Sequence, residues 1–127
     1  MEYGYKKQLN ISFAEAERKT RDELAKEGFG IITEINAKET FKKKLNVDFE
    51  NYLILGACQP DSAHKILQAD KELGLLLPCN VIVYEKNGKI FVSTILPKAM
   101  MGAMENAAVA EIAEEVEEKL KKVVDNI

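Results

Sequence analysis

The order of hydrophobic and polar positions along the chain predicts five strands. Apolar and polar residues alternate with a period of two over residues 3–10 and 29–36, as in half-buried strands. A nearly unbroken apolar run over residues 52–58 is typical of a strand in the middle of a sheet. Two further apolar runs, over residues 80–85 and 90–95, flank an Asn-Gly turn and predict a hairpin. We therefore expect one sheet to which all five segments contribute.

Capping residues and helical spacing predict the helices that connect and cover these strands. Ser12 opens a helix that ends at Glu27, and Asn36 opens a short helix, each with a glutamate three residues later. Pro60 suits the first turn of another helix, which continues over residues 62–69. A long closing helix is predicted from apolar positions at helical spacing, which are Val109, Ile112, Ala113, Val116, Leu120, Val123, Val124 and Ile127. Its apolar stripe is wide enough to lie across the sheet.

Length and composition describe a single domain, residues 1–127. A chain of 127 residues buries enough surface for one core, and 46% hydrophobic with 31% charged residues is ordinary for a globular protein. The formal net charge of −3 gives no broad positive field for a phosphate backbone, so we expect no nucleic-acid partner. The first residues lack a signal-peptide pattern, and no window approaches the ~18 apolar residues of a membrane span. We therefore expect a cytoplasmic protein without a membrane partner.

Both cysteines of the chain lie where a predicted strand meets a loop. Cys58 ends one strand, Cys79 precedes the next, and the only histidine, His64, lies between them. Side chains at such junctions can line a cleft that a rigid sheet supports. Free cysteines are more often small core residues, but a glycine and a proline surround Cys58, and a proline and Asn80 flank Cys79. We therefore place a candidate ligand-binding site at Cys58, His64, Cys79 and Asn80.

Three interpretations of these residues remain open. If Cys58 lies beside the free N–H groups at the start of a helix, it can act as a nucleophile or sulfur carrier that Cys79 resolves. His64 can then serve as a base. A soft metal, Cu(I) or zinc, would use the same residues with sulfur from among Met100, Met101 and Met104. In the third interpretation the cysteines only fill the core, and the protein is a structural subunit.

Three segments carry a resemblance to a known family. Gly28–Gly30, Leu55–His64 and Leu75–Tyr84 together resemble the domain-of-unknown-function family numbered 302, over nearly the whole chain. The family's Gly-Ala-Cys-Asn-Pro and Leu-Leu-Pro-Cys-Asn signatures match, except that Gln59 stands where asparagine is usual. The resemblance implies an α+β domain similar to the TATA-binding-protein fold, with an antiparallel sheet curved around a long C-terminal helix. It also implies a homodimer and no established activity, although some relatives are associated with sulfur-handling proteins.

Together these observations predict a small ligand-binding or accessory protein. The expected pocket lies between the sheet and the C-terminal helix, around Cys58, His64 and Cys79, with Asn80 beside it. We expect a small-molecule ligand or a sulfur-handling protein as the partner, a homodimer as the assembly, and no cofactor or metal. A thiol-based redox enzyme or sulfur carrier, and a soft-metal protein, are the alternatives.

Overall fold

The computed structural model describes residues 2–101 and 106–127, which form an α+β fold around a five-stranded sheet. The strands are β1 (Gly4–Leu9), β2 (Gly30–Asn36), β3 (Tyr52–Cys58), β4 (Cys79–Lys86) and β5 (Lys89–Ile95). The α-helices are α1 (Phe13–Lys26), α2 (Ala37–Leu45), α3 (Pro60–Ala69), α4 (Pro97–Met101) and α5 (Ala107–Asp125). A 3₁₀ helix, Lys71–Leu76, connects α3 to β4. The predicted fold class, an antiparallel α+β sheet with a long C-terminal helix, is confirmed.

The strands follow the order β1-β5-β4-β3-β2, and every neighbouring pair is antiparallel. The middle strand is therefore β4, and the prediction that residues 52–58 form the middle of the sheet is wrong. The apolar run of β3 reflects burial between two neighbours, which an inner strand has at any position away from the edge. Strand β1 is at the edge and pairs with β5, from Gly4 opposite Ile95 to Leu9 opposite Ile90.

Side-chain caps begin three of the described α-helices. Ser12 Oγ accepts a hydrogen bond from the Glu15 N–H at 3.1 Å, and Asn36 Oδ1 accepts one from the Glu39 N–H at 3.1 Å. At the start of α5, the Asn106 side chain accepts bonds from two N–H groups. Each cap satisfies donors that the first turn of a helix leaves without a partner. The predicted starts of α1 and α2 are confirmed.

Helices α1 and α5 pack against one face of the sheet and enclose the main core. The strand residues that face these helices are fully or almost fully buried: Leu53, Leu55, Val81, Val83 and Val92. The side chains that α5 contributes are Val116, Leu120, Val123 and Val124. A second, smaller cluster joins α3, the 3₁₀ helix and α4 to the first half of α5, and its members are Ile66, Leu73, Met101, Val109 and Ala113. The fold therefore has two adjoining cores that share α5.

Helices α1 and α5 leave the other face of the sheet, the open face, uncovered. Side chains alternate along a strand, so the residues between the buried ones point to this face: Tyr52, Ile54, Ile82, Tyr84, Phe91 and Ser93. The Tyr84 ring stacks on Tyr52 and on Phe91, with centroids 5.5 Å and 5.2 Å apart. Phe49 extends the row, 6.2 Å from Tyr52. A row of half-buried aromatic rings thus crosses the three inner strands.

In the part of the chain that the structure describes, no helix is both long enough and apolar enough to cross a membrane.

Candidate functional site

A cavity of about 310 Å³ lies where the end of β3 and the start of β4 meet α3, α4 and α5. Its wall is almost entirely apolar. Phe29 and Ala57 line it on the side of the sheet, Ile66 on the side of α3, and Val116 on the side of α5. Because these residues belong to both clusters of buried side chains, the cavity is a gap at the junction of the two cores.

The structure brings both cysteines to the wall of this cavity. Cys79 pairs across the strands with Ala57, the residue before Cys58, so the two cysteines occupy adjoining backbone positions of β3 and β4. Both thiols are free, Cys58 is half-buried, and Cys79 is buried. Burial, and to a lesser extent the nearby Cys58, raises the pKa of the Cys79 thiol to about 11. Cys79 is therefore protonated at neutral pH, and a role as nucleophile could fall only to Cys58.

Helix α3 begins directly beyond Cys58, as the sequence predicts, with Pro60 in its first turn. The cap residue Gln59 accepts no hydrogen bond from the first N–H groups of the helix, because its side chain is engaged elsewhere. Gln59 Nε2 donates to the Glu27 carbonyl oxygen at 3.3 Å, and Ser62 Oγ donates to Gln59 Oε1 at 2.9 Å. Gln59 and Ser62 both line the cavity and are half-buried. They form a polar edge beside the two thiols.

His64 does not line the cavity, and its side chain is exposed to solvent. The helical period explains this position. Ser62, Ala63 and Ile66 line the cavity and so define the inner side of α3, and His64 follows Ala63 by about 100° around the helix, toward solvent. The structure therefore does not join His64 to the cysteines.

Asn80 lies in β4 opposite Gly56, and its side chain is exposed. It lines a neighbouring cavity of about 250 Å³ rather than the one that holds both thiols. Cys79 and Met101 line both cavities, so these side chains form part of the wall between them. Asn80 is thus adjacent to the candidate site without being in it.

Methionine sulfur reaches the cavity from a single residue among those described. Met101, at the end of α4, is 2% exposed and lines the cavity. Met100 is 43% exposed and lines only the neighbouring cavity. Met104 lies outside the described residues. Within residues 2–101 and 106–127, no three side chains from among His, Cys, Asp and Glu come together in a group that could hold a metal ion.

Comparison with known proteins agrees with this architecture. The family model described as domain of unknown function DUF302 matches residues 5–127. The chain belongs to the DUF302 family. The crystal structure of an uncharacterized conserved DUF302 protein from Bacillus stearothermophilus is 28% identical, with a TM-score of 0.91 over 99% of this chain and 98% of that chain. No curated protein matches the chain.

Membership of the DUF302 family confirms the resemblance seen in the cysteine-bearing segments and extends it to the whole fold. It assigns no activity to the cavity. The chemistry of the cavity wall is therefore the basis for a function.

Proposed function

We propose that this DUF302 protein binds a small apolar molecule in the cavity between α3, α5 and the ends of β3 and β4. The observation that carries the proposal is a space of about 310 Å³ with an almost wholly apolar wall. Small-molecule sites typically measure ~300–1,000 Å³ and combine apolar walls with a few polar groups. This cavity is at the small end of that range.

The polar groups of the site restrict the kind of ligand. At the edge of the cavity, Ser62 donates a hydrogen bond to the Gln59 side chain, which in turn donates one to the Glu27 carbonyl at the end of α1. In the part of the chain that the structure describes, no buried side-chain nitrogen or oxygen lacks a hydrogen-bond partner. A ligand therefore has no buried charge or orphan donor to satisfy. Burial of its apolar surface, at ~25 cal/mol per Å², would provide most of the affinity.

Binding can be tested with N-phenyl-1-naphthylamine, a neutral probe whose fluorescence rises in apolar surroundings. We expect saturable enhancement with the native protein. Ala63 lines the cavity, so the Ala63→Trp substitution would fill part of it and lower the affinity at least about tenfold, equivalent to ~1.4 kcal/mol. The measurement is a fluorescence titration of each variant.

The matched control is Ala69→Trp. Ala69 is exposed at the end of the same helix, α3, and does not line the cavity. This variant should bind the probe like the native protein. Equal affinities for Ala63→Trp and Ala69→Trp, in variants with unchanged circular dichroism, would show that the probe binds elsewhere and would refute the proposal.

We also propose that two copies of the chain associate through their open faces. Five strands spaced ~4.8 Å apart, each ~20 Å long, cover about 500 Å² in projection. The side chains that project from the sheet add accessible surface to this area. A stable interface needs about 800 Å² of accessible surface from each partner, which is the same order. Two exposed apolar side chains extend this surface: Ile35, opposite Ile54 in the sheet, and Phe49, beside Tyr52. A second copy fits because open sheets pack face to face in an aligned arrangement.

Light scattering coupled to size-exclusion chromatography tests this association. We expect a dimer for the native protein and a monomer for Tyr84→Glu, because the charge would be buried at the centre of the aromatic row. The dissociation constant should rise at least about 30-fold, as for a residue whose loss costs ~2 kcal/mol. Ala25→Glu is the control, because Ala25 is exposed on α1, behind the opposite face. A monomeric native protein would contradict the proposal.

A further inference from the structure

Among the described residues, three with sulfur in their side chains, from three different elements, line the cavity. Cys58 is at the end of β3, Cys79 is at the start of β4, and Met101 is at the end of α4. We propose that the cavity binds a copper(I) ion through the thiolates of Cys58 and Cys79 and the thioether of Met101. This site goes beyond the binding of an apolar molecule, and the two occupants would compete for the same space.

The position of the thiols supports a shared site. Cys79 is opposite Ala57 in the ladder between β3 and β4, which places it next to the position of Cys58. Cys58 and Cys79 line the same cavity, and so does Met101. Met101 is buried, and its three rotatable bonds allow its sulfur to adapt to an ion in the cavity.

The chemistry of the wall favours a soft ion. None of the described residues that line the cavity is an aspartate, glutamate, histidine, lysine or arginine. Hard cations such as Mg²⁺ or Ca²⁺ are usually held by carboxylate oxygens, and no described residue of this wall carries a carboxylate. Thiolate and thioether sulfur select Cu(I). His64, the only histidine of the chain, is exposed and does not line the cavity, so no imidazole competes with the sulfur atoms for the ion.

The number of donors favours Cu(I) over zinc. Structural zinc is nearly always held by four nitrogen or sulfur ligands in a tetrahedron, whereas among the described residues three with sulfur line this cavity. Binding of Cu⁺ replaces the two thiol protons: Cu⁺ and two R–SH give Cu(SR)₂⁻ and two H⁺, and the protons pass to the solvent buffer. No electron is transferred. The complex carries one negative charge, and metal coordination deprotonates a thiol that is otherwise neutral.

The test is an anaerobic titration of the reduced protein with Cu(I) alone, in competition with a chelator that forms a coloured Cu(I) complex. We expect one ion per chain and release of protons to a weakly buffered solution. Loss of a supporting group around a metal ligand costs ~10–100-fold in affinity, so loss of a ligand thiolate in Cys58→Ser or Cys79→Ser should cost at least about 100-fold. Met101→Leu should cost less, about tenfold, because a neutral thioether binds more weakly.

Met100→Leu is the matched control, because Met100 adjoins Met101 but does not line the cavity. It should bind copper like the native protein. Cys79→Ala provides a second variant if Cys79→Ser lowers the stability of the fold. Copper affinity that survives loss of Cys79 would indicate an adventitious complex of Cys58 and overturn the proposal. So would equal losses in Met100→Leu and Met101→Leu.

The titration is separate from the test of apolar binding. It uses no probe, so a protein that binds N-phenyl-1-naphthylamine but not Cu(I) refutes only the copper site. A protein that binds Cu(I) but not the probe refutes only the apolar ligand.

Discussion

Replacing Gly56 with alanine is expected to destabilise the protein by about 3 kcal/mol, at the upper end of the usual cost of overpacking. A Cβ atom at residue 56 would overlap Thr33 Oγ1 and lie 2.8 Å from Pro78 Cγ. Thr33 is opposite Gly56 in the sheet, and its Cβ would lie 3.3 Å from the added atom, so rotation of the hydroxyl alone does not remove the crowding. The Pro78 ring is rigid. The loss should be measured by urea unfolding followed by circular dichroism.

Gly30→Ala is the matched control for this prediction. Gly30 is also in a strand, but the nearest atom to its added Cβ, the Cys58 carbonyl oxygen, is 3.9 Å away. The free energy of unfolding of Gly30→Ala should differ from that of the native protein by no more than about 0.5 kcal/mol. Adding Thr33→Ala to Gly56→Ala should recover part of the loss, because it removes one of the two overlaps. Equal unfolding midpoints for Gly30→Ala and Gly56→Ala would contradict the steric explanation.

The buried thiol of Cys79 is expected to make the protein less stable in alkaline solution. Its pKa is raised from 9.0 to about 11, chiefly by burial. Below pH ~9 the thiol is protonated in both the folded and the unfolded chain, so its contribution to stability is fully present. Between the two pKa values only the unfolded chain loses the proton, and stability falls. The loss is complete once the pH exceeds the folded pKa, and about two units correspond to ~2–3 kcal/mol.

This loss can be isolated by comparing variants. The native protein and Cys79→Ala are unfolded in urea at pH ~8 and at pH ~11, and the native protein should lose about 2–3 kcal/mol more between them. Tyr5 and Tyr52, whose pKa values are also raised, titrate in both proteins and cancel. Cys58→Ser should retain most of the effect, because burial is its first cause. An identical pH dependence in the native protein and Cys79→Ala would refute the assignment to this thiol.

Local patterns predict the elements of this fold well. The capping residues Ser12 and Asn36 begin α1 and α2 as expected, and Pro60 begins α3. The Asn-Gly pair joins β4 to β5, with both turn residues at positive φ. In each case a few neighbouring residues determine the backbone, so their spacing along the chain is sufficient.

The prediction fails for the order of the strands in the sheet. The apolar run of β3 shows that the strand is covered but does not show which strands flank it. The pairing of β1 with β5 at one edge puts β4 in the middle of the sheet. Periodicity reports the environment of each residue, whereas strand order depends on contacts between distant segments.

The sequence predicts part of the candidate site. The junctions of strand and loop at Cys58 and Cys79 do meet at one cavity, because β3 and β4 are neighbours. Nearness in sequence to Cys58 predicts that His64 belongs to the same site, but the position of His64 around the axis of α3 turns its side chain toward solvent. Val116 and the other apolar wall residues could not be recognised, since a residue that lines a cavity has the same helical spacing as one that fills the core.

The pairing of β1 with a distant strand has a consequence for synthesis on the ribosome. Strand β1 is made first, but its partner, Lys89–Ile95, is made last among the strands. At about 5–20 residues per second, the roughly 80 residues between them take on the order of 4–16 s to translate. Strands β3, β4 and β5 can each pair with the preceding strand as they emerge. The nascent chain therefore completes four strands of the sheet while its first strand waits unpaired.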